Sequence, residues 1–284
     1  METAVCLINY NAYQDTLACV ESLRCQHCYI VVVDNCSTND SVAQLTNAWG
    51  NDVVVWHLEQ KNFVLQTPLK ENVSIHLVVS DTNGGFAYGN NVLLTFVKLH
   101  LSAKYILWLN NDTVVPENFI DVLQNEIAAT NTERVALAVE ERNYYTKSYR
   151  HSGFHYLNLL TGLAFPRRVM PSHKYICGAC LFTSVNAPTW NENYFLYYED
   201  ADYAMRLKSA GYKMVATKQT YYLHKQGVST GQHPETIFKS MCLFYRTHFP
   251  HLLPIARCLR SLQYKLNGNK KALDALIKCY DTAR

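Results

Sequence analysis

A chain of 284 residues that is 49% hydrophobic and 17% charged is excluded from the disordered classes and is long enough to bury one large core. No low-complexity tract, fixed-period repeat or Gly/Ser linker interrupts it, so one large α/β domain, or a domain with an appendage, is expected rather than two independent units. The net charge of +3 conceals an asymmetry: from Arg246 onward eight basic residues stand against Asp274 and Asp281, a balance of +6 that leaves −3 for everything before it.

Residues 4–9 read as a short apolar strand, followed by a polar turn and an amphipathic segment over 15–24 with Leu17, Val20 and Leu23 on one side. With no basic leader and no long apolar segment at this end, no secretory signal is apparent and a cytosolic chain is expected. Residues 29–33 form a second all-apolar strand that stops at Asp34, Asn35, Cys36, Ser37 and Thr38. Asn39 or Asp40 can then cap a helix carrying Val42, Leu45 and Trp49. Further strands are expected over 53–57 and 74–79. The latter feeds DTNGGFAYGNN, residues 81–91, which opens a helix through Val92, Phe96 and Leu99. The stretch 92–109 is broken by Lys98, His100 and Lys104, so it reads as helix, turn and strand rather than a membrane span.

Tyr105, Ile106, Leu107, Trp108 and Leu109 then form a continuous apolar run, the pattern of a strand covered on both faces of a parallel sheet. It ends in Asn110, Asn111 and Asp112, at the strand end where open α/β sheets bind their ligands. The triplet equally fits a turn in which Asp112 or Thr113 caps a helix. Strands alternating with helices at this spacing indicate a parallel sheet with right-handed crossovers. After residue 125 the strand-like segments 135–139, 175–184, 213–217 and 220–223 alternate less regularly, which predicts a mixed-sheet second half. Residues 200–210 read as a helix ending at Gly211, a left-handed cap.

Ten cysteines include two CxxC spacings, Cys25 with Cys28 and Cys177 with Cys180. A four-thiolate zinc site is formally possible, but the pairs are far apart in sequence and neither sits in a turn-rich knuckle. Buried free thiols in a reducing compartment fit better, since Cys6, Cys180 and Cys242 lie among apolar neighbours.

Four polar clusters fall at strand ends: Asp34 with Asn35, Asn83 with Gly84 and Gly85, the Asn110 to Asp112 triplet, and Glu199 with Asp200. In a parallel sheet the first three emerge on one edge and can converge on one ligand. Gly84, Gly85 and Gly89 before a helix invite a phosphate-loop reading, although the spacing matches neither GxGxxG nor GxxxxGK[ST] and a plain turn also fits. Glu199, Asp200 and Asp202 follow five apolar aromatic or aliphatic residues, Tyr194 to Tyr198, a setting that raises a carboxylate pKa toward general-base duty. An acidic helix start complementing the dipole fits the same residues. His224 ends a strand and, with Asp112, can complete a divalent-metal site; an ordinary satisfied histidine is the alternative.

The segments VDNCSTNDS, NGGFAYGNN, YILWLNNDTVVPENF, YICGACLFTS, NYFLYYEDADYAMRLKSAGYKM and YYLHKQGVSTG occur in the order found in the family 2 glycosyltransferases. The chain most resembles the rhamnosyltransferase-like branch that builds bacterial surface polysaccharides, over roughly residues 4–249. The resemblance implies a GT-A type single Rossmann-like α/β domain with a mostly parallel central sheet, plus C-terminal helices. Residues 1–115 would be the nucleotide-sugar-binding half, 116–240 the acceptor-binding and catalytic half, and 241–284 a basic helical appendage.

On this resemblance Asp34 would hold the nucleoside, with Asn9 and Tyr10 near the base, while Asn83, Gly84 and Asn90 border the donor. Asn110, Asn111 and Asp112 stand where the family places its DxD. Asp112, assisted by His224, would coordinate Mg²⁺ or Mn²⁺ on the donor diphosphate. Asp200, beside Glu199, would be the general base of an inverting reaction, with Arg206 ordering the site. Two departures stand out: Asn110 replaces the first acidic residue of DxD, and Thr189, Trp190 and Asn191 replace the usual Gly-Phe-Asp, so unusual acceptor contacts are expected. Residues 61–71 look like an insertion.

The expected activity is transfer of a sugar, L-rhamnose from dTDP-L-rhamnose before others, onto a glycan or lipid-linked glycan in lipopolysaccharide O-antigen or related synthesis. A UDP-hexose donor is a second reading, and a catalytically silent glycan-binding or assembly subunit a third. Retention of Asp112, Asp200 and His224 together argues against silence. No nucleic-acid partner is expected. Ile255, Leu259, Leu262 and Leu266 recur at helical spacing, with Arg257, Arg260 and Lys265 off that stripe. The stripe either packs on the catalytic domain or lies on an anionic membrane surface.

Overall fold

The computed structural model describes residues 1–67, 73, 75–130, 132–226 and 234–281. The first half runs β1 (Thr3–Asn9), α1 (Tyr13–Leu23), β2 (Tyr29–Asp34), α2 (Ser41–Trp49), β3 (Val53–Glu59), β4 (Asn62–Leu65), β5 (Ile75–Ser80), α3 (Gly85–His100), β6 (Tyr105–Asn110) and β7 (Thr113–Val114). The second half runs α4 (Phe119–Ala128), β8 (Val135–Asn143), β9 (Tyr149–His151), β10 (Phe154–Asn158), β11 (Ala164–Phe165), β12 (Ser172–Ile176), β13 (Cys180–Ser184), α5 (Glu199–Ser209) and β14 (Lys213–His224). Three helices close the chain: α6 (Pro234–His248), α7 (Leu253–Leu266) and α8 (Lys270–Asp281).

The main sheet has the order β4-β3-β5-β2-β1-β6-β13-β8-β14-β7, with β9 on β8, and a small second sheet joins β11, β10 and β12. From β3 to β6 neighbouring strands are parallel. β13 then enters antiparallel between β6 and β8, and β14 returns parallel to β8. The fold class is therefore α/β with a mostly parallel central sheet. Because β13 runs against β6, its first residue, Cys180, pairs with Leu109 near the end of β6. The turn that opens β13 consequently lies at the same sheet edge as the ends of β1, β2 and β6.

β6 is central for the reason its sequence suggests. Leu107 and Leu109 enter the core formed with α1, α2 and α4, while Ile106 and Trp108 enter the core on the other face, with α3 and α5. Each face thus gains apolar side chains by the period-2 alternation of a strand. A third core, including Tyr194, Ala201, Phe238, Phe244 and Leu276, joins α6 and α8 to α5.

Several expectations need correction. The single strand expected over 175–184 is two strands in different sheets, β12 and β13, separated by a turn at Cys177, Gly178 and Ala179. The two strands expected over 213–223 are one, with a shift in pairing register between Ala216 and Tyr221, where the polar run Thr217 to Thr220 intervenes. Within the expected insertion, Asn62–Leu65 forms the edge strand β4 and residues 68–71 lie outside the described residues, as do 227–231 of the YYLHKQGVSTG segment. Gly211 caps α5 as expected: its φ is +80°, its amide donates to the Lys208 carbonyl at 3.0 Å, and the Tyr212 amide to Leu207 at 2.9 Å.

Trp190 is a core residue. It is 2% exposed, stacks on Tyr203 with ring centroids 3.9 Å apart, and meets Trp108 edge-on at 5.9 Å. The α7 stripe does not pack inward: Ala256 and Arg260 are buried, while Ile255, Leu259, Leu262 and Leu266 are 44, 37, 50 and 78% exposed. No helix among the described residues is long and apolar enough to cross a membrane.

The aromatic stack sets the first expected outcome. Trp190→Ala opens a cavity between α5 and β6 and should cost ~3–5 kcal/mol of unfolding free energy in urea titrations; a loss below ~1 kcal/mol would show that the stack is dispensable.

Candidate active site

Asn9 and Asp34 end β1 and β2 side by side, paired in register. Asn9 Nδ2 donates to Asp34 Oδ2 at 2.6 Å, and Asp34 also accepts the Ser37 amide at 2.9 Å and the Ser37 hydroxyl at 2.6 Å. Asn9 and Asp34 are buried, so this carboxylate is a fixed acceptor at the floor of the edge, with Tyr10 exposed at its rim. The Thr16 hydroxyl donates to Asn9 Oδ1 at 2.8 Å and accepts Asn111 Nδ2 at 2.8 Å, which ties the end of β6 to the end of β1 through α1. On the other side Asn35 Nδ2 donates to Asn83 Oδ1 and to the Gly85 carbonyl, both at 3.1 Å. The first three predicted clusters therefore do meet on one edge. Asn90, inside α3, is buried, and its Nδ2 has no hydrogen-bond partner among the described residues.

The glycines serve packing rather than a phosphate loop. Gly85 sits at φ +85°, and a Cβ there would lie 2.1 Å from the Phe195 carbonyl oxygen; that oxygen accepts the Phe86 amide at 2.9 Å. The Gly85 amide donates to Asn83 Oδ1 at 3.1 Å. Two early amides of α3 thus already have protein acceptors, which weakens this helix end as an anion cradle. Gly89 makes room for Ile8, whose Cδ1 would be 2.9 Å from a Cβ.

Asp112 follows β6 and meets His224 at the end of β14. His224 Nε2 lies 3.0 Å from Asp112 Oδ1, and His224 Nδ1 lies 3.0 Å from Oε2 of Glu141, a fully buried carboxylate near the end of β8. Burial disfavours a charged imidazole, but the hydrogen bonds to Asp112 and Glu141 outweigh it and push His224 up to about 9. Burial alone would raise Glu141; the His151 and His224 imidazoles beside it hold it well below the usual carboxylate range instead. A ring whose Nδ1 is held by a carboxylate presents Nε2 next to a second carboxylate, and this N/O donor set fits a divalent cation such as Mg²⁺ or Mn²⁺. Asp112 and His224 would hold it. Glu141 was not singled out from sequence; the signal available was Glu140 and Glu141 directly continuing the apolar run 135–139.

A second group, His151, His155 and Cys177, has ligand atoms within 4.8 Å of one another. His151 Nδ1, however, accepts the Gly153 amide at 3.1 Å and its Nε2 faces Glu141 at 3.2 Å, so neither nitrogen offers a metal a free lone pair. The two CxxC pairs contain free thiols and form no joint metal-competent group among the described residues.

Glu199 and Asp200 open α5. Tyr197 and Tyr198, just before them, both adopt left-handed backbone, φ +71° and +65°, and this sharp turn aims the helix start at the sheet edge. Asp200 Oδ2 accepts the Gly178 amide at 3.4 Å and Oδ1 the Ala201 amide at 2.8 Å. Gly178 lies in the turn opening β13, whose Ala179 carbonyl accepts the Asn110 amide at 2.9 Å. The fourth cluster thereby reaches the other three. Burial raises both carboxyls above the ordinary range, and at Glu199 the neighbouring Asp200 charge adds to it. Glu199 Oε2 has no hydrogen-bond partner among the described residues.

Asp202 and Arg206 belong elsewhere. Asp202 is buried and bound by Arg206 Nε at 2.8 Å, His248 Nε2 at 2.7 Å and the Tyr194 hydroxyl at 3.4 Å, which locks α5 to α6. Arg206 lies nearly two turns along α5 from the acidic pair, and the ion pair it makes is with Asp202, one turn before it.

This architecture is the GT-A glycosyltransferase fold. No family model and no curated protein matches the chain by sequence. Among solved structures it is similar to S. aureus TarS 1-349, with a TM-score of 0.57 and 15% identity over 98% of this chain and 81% of that one; the same protein in complex with UDP-GlcNAc gives 0.59. GalNAc-T7 with UDP, GalNAc and Mn²⁺ gives a TM-score of 0.65 and 10% identity, covering 87% of this chain and 48% of that one.

The His224 bridge predicts a pH dependence. Its folded pKa lies above the ordinary value near 6.5, so its stabilisation is fully present below pH 6.5 and is lost as pH rises through about 9. In EDTA-treated protein the unfolding free energy from urea titrations should fall over this window, by an amount on the order of 3 kcal/mol at most. The fall should vanish in His224→Gln; an equal fall in both proteins would assign it to another group.

Proposed function

We propose that the chain is an inverting glycosyltransferase that moves a sugar from a nucleotide diphosphate donor to a hydroxyl of a glycan or lipid-linked glycan. The observation that carries this reading is the placement of two different carboxylates on one sheet edge. Asp112 is coupled to His224, and Asp200 is held by Gly178 across the turn bonded to Asn110. A divalent cation at Asp112 and His224 would neutralise the charge that develops on the leaving diphosphate. Asp34, fixed by Asn9 and Ser37, is suited to accept hydrogen bonds from a nucleoside, with Tyr10 at the rim for the base. Asp200, kept from full acidity by burial, is suited to take the proton of the attacking hydroxyl; Glu199 beside it carries the same environment.

The motif resemblance supports dTDP-L-rhamnose as the donor. UDP-hexose is a second reading, favoured by the UDP and UDP-GlcNAc bound to the TarS structures. A silent assembly subunit is the third, and donor hydrolysis by the purified protein would remove it. A thermal-shift panel of dTDP-rhamnose, UDP-glucose and UDP-GlcNAc with Mn²⁺ separates the donors, because the tighter ligand stabilises the folded state more. Asp112→Ala should abolish the Mn²⁺-dependent part of that shift, whereas undiminished binding and activity in EDTA would mark a metal-independent enzyme.

Asp200→Asn should lower turnover by ~10²–10⁴-fold with donor binding intact, since an amide keeps the shape but takes no proton. Near-normal turnover would move the base to Glu199.

A station at the cytoplasmic face of a membrane belongs to the same reading. The exposed α7 stripe is bordered by exposed Arg257 and Lys265, and Lys270 and Lys271 follow it. Anionic lipid attracts such residues by about 1 kcal/mol each. A second copy would oppose like charge with like charge, and four side chains fall far short of the ~800 Å² per partner of a stable interface. The full chain should co-sediment with phosphatidylglycerol vesicles and lose this when Leu259, Leu262 and Leu266 become Ser; equal binding by both proteins, or none at low salt, overturns the membrane role.

A further inference from the structure

Glu141 is fully buried and every group around it is a donor. Oε2 receives the Tyr222 hydroxyl at 2.8 Å and lies 3.0 Å from His224 Nδ1 and 3.2 Å from His151 Nε2. Oε1 receives Gln226 Nε2 at 2.7 Å and Arg150 Nη1 at 3.0 Å. A carboxylate accepts on both oxygens and satisfies this pocket; an amide turned one way sets its NH₂ against Arg150, which can only donate, and turned the other removes the acceptor that His224 Nδ1 and the Tyr222 hydroxyl donate to.

The consequence falls on His224. In the metal-free ring both nitrogens donate, Nε2 to Asp112 and Nδ1 to Glu141; a cation takes the neutral ring, and an acceptor at Nδ1 keeps the remaining proton there and turns Nε2 to the Asp112 side. The strand pairing builds the contact in: Tyr222 and His224 of β14 lie in register with Glu141 and Asn143 of β8, so two of the partners of Glu141 come from one adjacent strand.

We propose that Glu141 is the positioning residue of the active site, holding His224 in the tautomer and orientation that a divalent cation at Asp112 requires. The proposal rests on the metal reading given above and deepens it. Glu141 touches neither donor nor acceptor; it acts through the ring. The competing role is purely structural, an anchor for Arg150, and the two roles separate in the variants.

The test is Mn²⁺ binding alone, by calorimetry on the full chain, with folding checked by circular dichroism. Glu141→Gln should weaken Mn²⁺ about 10–100-fold, the scale for removing the partner that orients a histidine ligand. Glu141→Asp, which keeps the charge but draws it back by one methylene, guards against a misfolded amide variant and should also weaken binding. Arg150→Met, which removes the ion pair and leaves the His224 contact, should bind Mn²⁺ within twofold of the parent. If Glu141→Gln and Glu141→Asp both bind like the parent while Asp112→Ala does not, the positioning role is wrong. If Arg150→Met loses as much as Glu141→Gln, Glu141 serves the fold. If the parent chain itself binds no Mn²⁺, the metal reading fails first and the positioning role falls with it.

Discussion

The hydrogen bond from the Asn110 amide to the Ala179 carbonyl joins the two halves of this protein at the point where chemistry is proposed. On one side it fixes the end of β6 and the start of the Asn111 and Asp112 segment. On the other it fixes the turn whose Gly178 amide holds Asp200. The bond exists because β13 runs antiparallel to β6, so a turn that in an all-parallel sheet would open at the far edge opens here instead. A single reversal of strand direction thus brings residues some ninety positions apart to one edge.

Much of this was legible in the sequence. The alternation of apolar strands and amphipathic helices through residue 110, and the polar residues that end each strand, are local signals that survive folding because buried parallel strands leave no other place for Asp34 or Asp112. Gly211 was legible for the same reason: a left-handed cap is a property of a few adjacent residues. What was not legible depends on pairing between distant segments. The break at residues 177–179 lies inside an apolar run, and only the capture of Ser172–Ile176 by a second sheet separates it from β13. The fate of Trp190 is set by Tyr203 and Trp108, which no local pattern places beside it.

The acidic residues show the limit most clearly. Glu199, Asp200 and Asp202 look alike in sequence, yet among the described residues one has an oxygen without a partner, one faces the sheet edge and one is bound by Arg206 and His248. Helical geometry separates them, since successive residues point about 100° apart, but which direction meets the edge is decided by the turn before the helix. Glu141, the most heavily bonded carboxylate near the site, was hidden as the second of two glutamates on a strand whose neighbour, β14, lies some eighty residues away.

That turn carries a cost of its own. Tyr197 and Tyr198 sit in a backbone region that disfavours bulky L-residues by roughly 1–2 kcal/mol each. The Tyr198 ring anchors it: its hydroxyl donates to the Gly162 carbonyl at 2.6 Å, and Gly162, itself at φ +67°, leaves no room for a side chain against that oxygen. Glycine at Tyr198 would relax the backbone while cutting the tether. The strain is thus held in place by one hydrogen bond and a ring packed against the third core, and a variant without them would give up the fixed aim of α5 along with that packing.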